Sequence, residues 1–139
     1  GWTEYDRNQM GEWYTYLILS SGYGTKFRLP AESANMAASG WGGDTYVFLF
    51  NENNDDTAFV WLSTWDAQKE SNEFFIVSKQ YGELRWGAPA QTTSEYTTWK
   101  NTPDGMVTII QSGKYVLWAI SPDDQVVDTV TPLVYFGGY

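Results

Sequence analysis

No histidine and no cysteine occurs in the 139 residues. The first absence removes the commonest proton carrier of hydrolases, and with it Ser-His-Asp triads and zinc helices built on paired histidines. The second removes disulfides, thiolate metal sites and a cysteine nucleophile. No apolar run approaches the roughly 18 residues that a membrane-spanning helix needs, and no basic-then-apolar leader opens the chain. A chain that starts at Gly1 rather than methionine fits a mature or excised fragment. The expectation is one domain over residues 1–139, drawn from a larger protein.

Basic residues are scarce as well: Lys+Arg 8 stand against Asp+Glu 17, a net charge of -9. Such a surface repels phosphate backbones and anionic lipids, so nucleic acid is not an expected partner. What is abundant is aromatic. Hydrophobic residues make up 42% of the chain and aromatics 18%, with Trp 8, Tyr 10 and Phe 7, far too apolar for disorder. At this length one core forms without staples. Aromatic richness without cysteine also fits a heat-stable, thermostable protein.

The periodicity predicts an α+β fold. Asp6 with Gln9 reads as a capping box, followed by Met10, Trp13, Tyr14 and Leu17 at helical spacing up to Gly22 and Gly24. Pro30 opens a second helix rich in alanine that stops at Gly40. Tyr46 to Phe50 and Ala58 to Leu62 read as a strand pair around a polar turn. Asp66 caps a third helix, with Phe74, Val77 and Tyr81 on one face and Gly82 at its end. The stretch from Leu84 to Asn101 reads as irregular, with Tyr96 to Trp99 able to pair as a strand. Pro103-Asp104-Gly105 is a turn, and Met106 to Ile110 with Tyr115 to Ile120 form a second hairpin. Ser121-Pro122 starts a last helix that Pro132 ends. Two β-β-α units give an antiparallel sheet of four or five strands, helices on one face, and two N-terminal helices.

Chemistry is thinly signalled. A carboxylate-only hydrolase needs two facing acids, but Asp55, Asp56, Asp104, Asp123 and Asp124 sit where turns and helix starts want them. Asn51-x-Asn53-x-Asp55 has the alternating oxygen ligands that open a calcium loop. It then departs, with Asp56 in place of glycine and Leu62 in place of the bidentate Glu. Calcium at Asn51, Asn53 and Asp55 is therefore a weak candidate, and no other cofactor is expected. Tryptophans at element ends, among them Trp41, Trp65 and Trp86, can serve as stacking platforms for sugars or simply close the core.

The most distinctive segment is Ala37-Ala38-Ser39-Gly40-Trp41-Gly42-Gly43-Asp44. Its three glycines suit a tight helix-to-strand corner, and Asp44 suits a local acceptor that fixes the turn. With Gly1-Trp2, Gly11-Glu12, Trp65-Asp66 and Glu73-Phe74 in the same order, the chain resembles the C-terminal region of secreted or surface-anchored archaeal and bacterial proteins of a zinc-peptidase-like family. Longer members carry a His-Glu-x-x-His helix upstream. The resemblance spans Gly1 to Glu83, and departs from the pattern at Ala67 and at Lys69-Glu70. It implies an extracellular or cell-surface accessory domain whose zinc helix would precede Gly1, so no catalytic residue carries over.

Three readings follow. The first is a non-catalytic domain acting through a protein partner or an upstream domain of the same chain, which requires an exposed apolar patch. The second is a glycan- or peptide-binding module using Trp41, Asp44, Trp65 and Trp86. The third is an enzyme working with carboxylates alone.

Overall fold

The computed structural model describes residues 2–21 and 37–123. Along the chain run β1 (Trp2–Asn8), α1 (Gly11–Ser21), β2 (Trp41–Asn51), β3 (Thr57–Trp65), α2 (Gln68–Trp86), β4 (Gln91–Thr92), β5 (Tyr96–Thr102), β6 (Gly105–Ser112) and β7 (Tyr115–Ser121). The strands form one 7-stranded sheet in the order β1-β2-β3-β7-β6-β5-β4, antiparallel throughout. This corrects the predicted α+β fold of four or five strands with two N-terminal helices. The described structure is mostly β.

The error has identifiable sources. Trp2, Thr3 and Tyr5 are strand formers, and the segment that read as a helix lead-in pairs with β2 instead. Asp6 lies in that ladder opposite Phe48 and caps nothing. Part of the stretch from Leu84 to Asn101 that read as irregular supplies the end of α2 and β4, while Tyr96 to Trp99 pairs as a strand as expected, within β5. Ala37 and Ala38 are helical. Ser121, expected to cap the last helix, is instead the final residue of β7, paired with Met106, and Pro122 and Asp123 form a bend. The rest of that helix up to Pro132, the rest of the helix expected from Pro30, and the closing glycines Gly22 and Gly24 lie outside the described residues.

Both expected hairpins form and run longer than their apolar cores. β2 pairs with β3 from Trp41↔Trp65 to Phe50↔Thr57, and β6 with β7 from Met106↔Ser121 to Ser112↔Tyr115. The two halves of the sheet meet where β3 pairs with β7, from Phe59↔Ile120 to Thr64↔Tyr115. Strand alternation then sorts the side chains. Trp61, Trp65, Val107, Ile109, Val116 and Trp118 face α2, where Phe74, Val77 and Tyr81 meet them. Val60, Leu62, Leu117 and Ala119 face the other way and are also buried, so the centre of the sheet is covered on both faces.

The α2 side is an aromatic stack. Trp61 lies edge-on to Phe74 at 5.8 Å and to Trp118 at 5.4 Å, and Phe74 lies 4.5 Å from Trp65. A buried indole needs a partner for its N–H, and each of these has one. Trp65 Nε1 donates to Ser63 Oγ at 2.9 Å, Trp118 Nε1 to Ser78 Oγ at 3.2 Å and Trp99 Nε1 to the Gly87 carbonyl at 2.8 Å.

α2 runs past Gly82, its expected end. Gly82 is buried inside the helix because the Trp99 ring occupies the space a Cβ would take. The helix ends at Gly87, whose N–H reaches the Glu83 carbonyl at 3.1 Å. At its start Ala67, not Asp66, is the cap, with no side-chain hydrogen bond. Asp66 donates its backbone N–H to the Gly40 carbonyl at 2.9 Å instead. A second tie holds the first turn of α2: Ser71 Oγ donates to the Gly113 carbonyl at 2.6 Å and receives Gln111 Nε2 at 3.2 Å.

Candidate functional site

The glycine corner leads into β2. Gly40 has φ +82, and the Glu70 side chain from α2 fills the space where its Cβ would be. Gly42 lies against the Thr64 carbonyl of β3. Close approach from two neighbours therefore explains two of the three glycines as packing.

Asp44 is 2% exposed and accepts three hydrogen bonds. Its Oδ2 takes the Met10 N–H at 2.6 Å and the Trp61 indole at 3.0 Å, and its Oδ1 takes the Gly11 N–H at 2.8 Å. The carboxylate thus sits at the start of α1, where free amides and the helix dipole favour a negative charge. It does the work of an N-cap from another strand. The expected acceptor is present, but its backbone partners are 33 and 34 positions away, not within the turn.

The tryptophans divide. Trp41 and Trp65 face each other across the β2–β3 register. Trp65 is 1% exposed and packed on Phe74, whereas Trp41 is half-buried. Among the described residues, Trp41 Nε1 and Glu70 Oε2 are a donor and an acceptor buried without a hydrogen-bond partner. Trp86 is elsewhere. Its Nε1 donates to Asp104 Oδ2 at 2.9 Å, and the Arg85 guanidinium lies over its ring and 3.1 Å from the same carboxylate oxygen. From Glu70 to Trp86 the helix rises about 24 Å. Trp41 and Trp65 pair across the corner, Asp44 lies three positions along β2 and bonds Met10, Gly11 and Trp61 instead, and Trp86 is not part of it.

The tip between β2 and β3 is organised by its own side chains. Asn51 Oδ1 accepts the Asn53 N–H at 3.0 Å, and Asn54 Oδ1 accepts the Asp56 N–H at 3.0 Å. One of the three oxygens expected to face calcium, that of Asn51, is thereby turned to the backbone. Among the described residues no cluster of three or more His, Cys, Asp or Glu side chains is placed to hold a metal.

What the sequence reading missed lies at the β1 end of the sheet. Tyr5 is 82% exposed and Phe48 42%, and with Leu49, Phe50 and Thr57 they line a groove of about 450 Å³. A register shift between Glu4 and Asp6 leaves Tyr5 as the bulged residue of β1. Phe48 packs on Phe59 at 4.9 Å and edge-on to Tyr46 at 5.8 Å, so the groove continues an ordered aromatic row. The signal was in β2, where Tyr46 to Phe50 is apolar at every position. A strand next to an edge has little to cover one of its faces.

Charge surrounds this groove unevenly. Across described residues 2–66 the basic side chain is Arg7 alone, against eight carboxylates from Glu4 to Asp66. Across residues 67–123 five bases face six acids. Arg7 is itself engaged, donating to both Glu4 oxygens at 2.9 and 3.1 Å, and it holds the Glu4 carboxyl below its ordinary range. The Tyr46 phenol is pushed up, first by desolvation and then by the Asp6 carboxylate 3.5 Å from its hydroxyl and by Asp44.

Among the described residues no helix is long and apolar enough to cross a membrane. Neither the curated proteins nor the solved structures give a match to the chain. A family model does match, over residues 3–131, and the chain belongs to the family it describes, Domain of unknown function (DUF8575).

Proposed function

We propose that this domain is a non-catalytic interaction module, working outside the cell and docking on a protein partner through the groove of Tyr5, Phe48 and Phe50. The observation that carries the reading is the exposure of Tyr5 and Phe48 beside an ordered aromatic row. Two large apolar side chains left in water at one place are characteristic of a contact surface. The acids support it by default: Asp44 holds α1, and Asp104 holds the end of α2. The sequence motifs shared with surface proteins of the zinc-peptidase-like kind suggest that the partner is a neighbouring domain or subunit of such an assembly.

The test compares hydrogen exchange in the protein isolated from its source cells with exchange in the pure 139-residue chain. Protection of residues 2–8 and 48–57 in the native assembly is expected. Equal exchange at those residues would overturn the reading.

A further inference from the structure

Resting on the contact surface proposed above, we infer that its partner is a cationic, extended segment that lies along β1 and seats one apolar side chain in the groove.

Three observations converge. First, β1 ends the sheet order, and Thr3 to Asn8 are all exposed, so among the described residues its outer edge faces solvent. An edge strand presents unpaired backbone donors and acceptors that an extended chain can satisfy. Second, the groove opens beside that edge and is walled by Tyr5 and Phe50, a shape suited to one aromatic or branched side chain. Third, the surroundings are acidic. Glu4 and Asp6 flank Tyr5 in sequence, Glu52 and Asp55 lie in the turn between Phe50 and Thr57, all four are exposed, and Arg7 is already paired with Glu4. The chain as a whole carries -9.

Charge decides among occupants. A second copy would bring another -9, and the mutual repulsion of two such acidic chains opposes their association. The bulge at Tyr5 adds to that protection, because bulges and charges are how proteins keep their edges from self-pairing. A strand with lysine or arginine at alternating positions meets the same carboxylates favourably. Its approach would be steered by the net charge of -9 that the chain carries. Net charge and the bulge both favour a basic chain over a second copy at this edge.

The experiment titrates the isotope-labelled chain with three nine-residue peptides. One places a central phenylalanine among alternating lysines, the second replaces the lysines by glutamate, and the third replaces the phenylalanine by serine. The first is expected to shift the amides of β1 and of Phe48 to Phe50, and to weaken at least tenfold between about 50 and 500 mM salt. The serine peptide should bind roughly tenfold more weakly than the first, and a Tyr5→Ser chain should lose the same preference for phenylalanine. If the glutamate peptide binds the groove as well as the lysine peptide, the cationic partner is wrong while the apolar contact surface stands. If the lysine peptide shifts no amide of β1 or β2, the inference falls. The contact surface is then judged by hydrogen exchange in the native assembly alone.

Discussion

Asp44 Oδ2 accepts the Trp61 indole N–H at 3.0 Å, and the same carboxylate holds the amides of Met10 and Gly11. One buried side chain thereby joins a tryptophan of β3 to the start of a helix whose amides lie more than thirty positions away in sequence. Replacing it by alanine leaves three donors without an acceptor. Asp44→Ala should cost about 3 kcal/mol or more in urea unfolding. Asp44→Asn keeps one acceptor oxygen and should cost less, roughly half as much. Equal losses for the two variants would mean that the one remaining acceptor oxygen does not suffice, since the new NH2 then faces an N–H donor.

Gly82 offers a test with a reversed sign. Alanine for glycine inside a helix ordinarily stabilises by about 1 kcal/mol. Here the new methyl meets the buried Trp99 ring, so Gly82→Ala should destabilise by about 1–3 kcal/mol. In a Trp99→Leu background the same change should become neutral or stabilising. That double-mutant cycle, read by thermal unfolding, separates the clash from helix propensity.

The contact surface should be replaceable without harm to the fold. Tyr5 projects from a bulge and is mostly solvated, so Tyr5→Ser should change stability by no more than about 0.5 kcal/mol. Trp65→Ala, by contrast, empties a fully buried site against Phe74 and should cost about 3–5 kcal/mol. Chemical denaturation of both variants checks that the two aromatics do different jobs.

Arg7 and Glu4 make a small pH-dependent contribution. The Glu4 carboxyl is held below its ordinary 4.5 by the Arg7 hydrogen bonds. A folded pKa below the unfolded one adds stability above pH about 4.5 and loses it as the pH falls through the folded value. The pair is largely solvated, so the gain is below about 1 kcal/mol. Glu4→Gln should therefore trail the unmodified chain slightly at neutral pH and match it in acid.

The parts of the fold that were legible in the sequence are those with short-range patterning. Tyr46 to Phe50, Ala58 to Leu62 and Met106 to Ile120 pair as hairpins because apolar runs bounded by polar turns leave few alternatives. Phe74, Val77 and Tyr81 mark α2 by their spacing. What misled was any residue whose role depends on a distant neighbour. Asp6 looks like a cap because Gln9 follows it, yet the cap of α1 arrives from β2 as Asp44. Gly82 looks like a stop, yet Trp99 explains it. Of the site residues, Trp41 and Trp65 pair across the β2–β3 hairpin, while Asp44 turns to α1 and Trp61. Tyr5 and Phe48 escaped notice because exposure is decided by strand order, and strand order is not written locally.

The β3–β7 pairing carries a kinetic consequence. Ser63 Oγ and the Val116 carbonyl meet at 3.1 Å across 53 positions of chain, whereas each hairpin beside them closes a loop of a few residues. Local hairpins zip within about 10 μs, while a junction between remote strands waits on the search for its partner. The two meanders should therefore take shape early and join late. Substitutions in this seam, at Leu62 or Leu117 for example, should then act mainly by speeding unfolding. The protein's lifetime as a folded molecule is governed at the middle of its sheet.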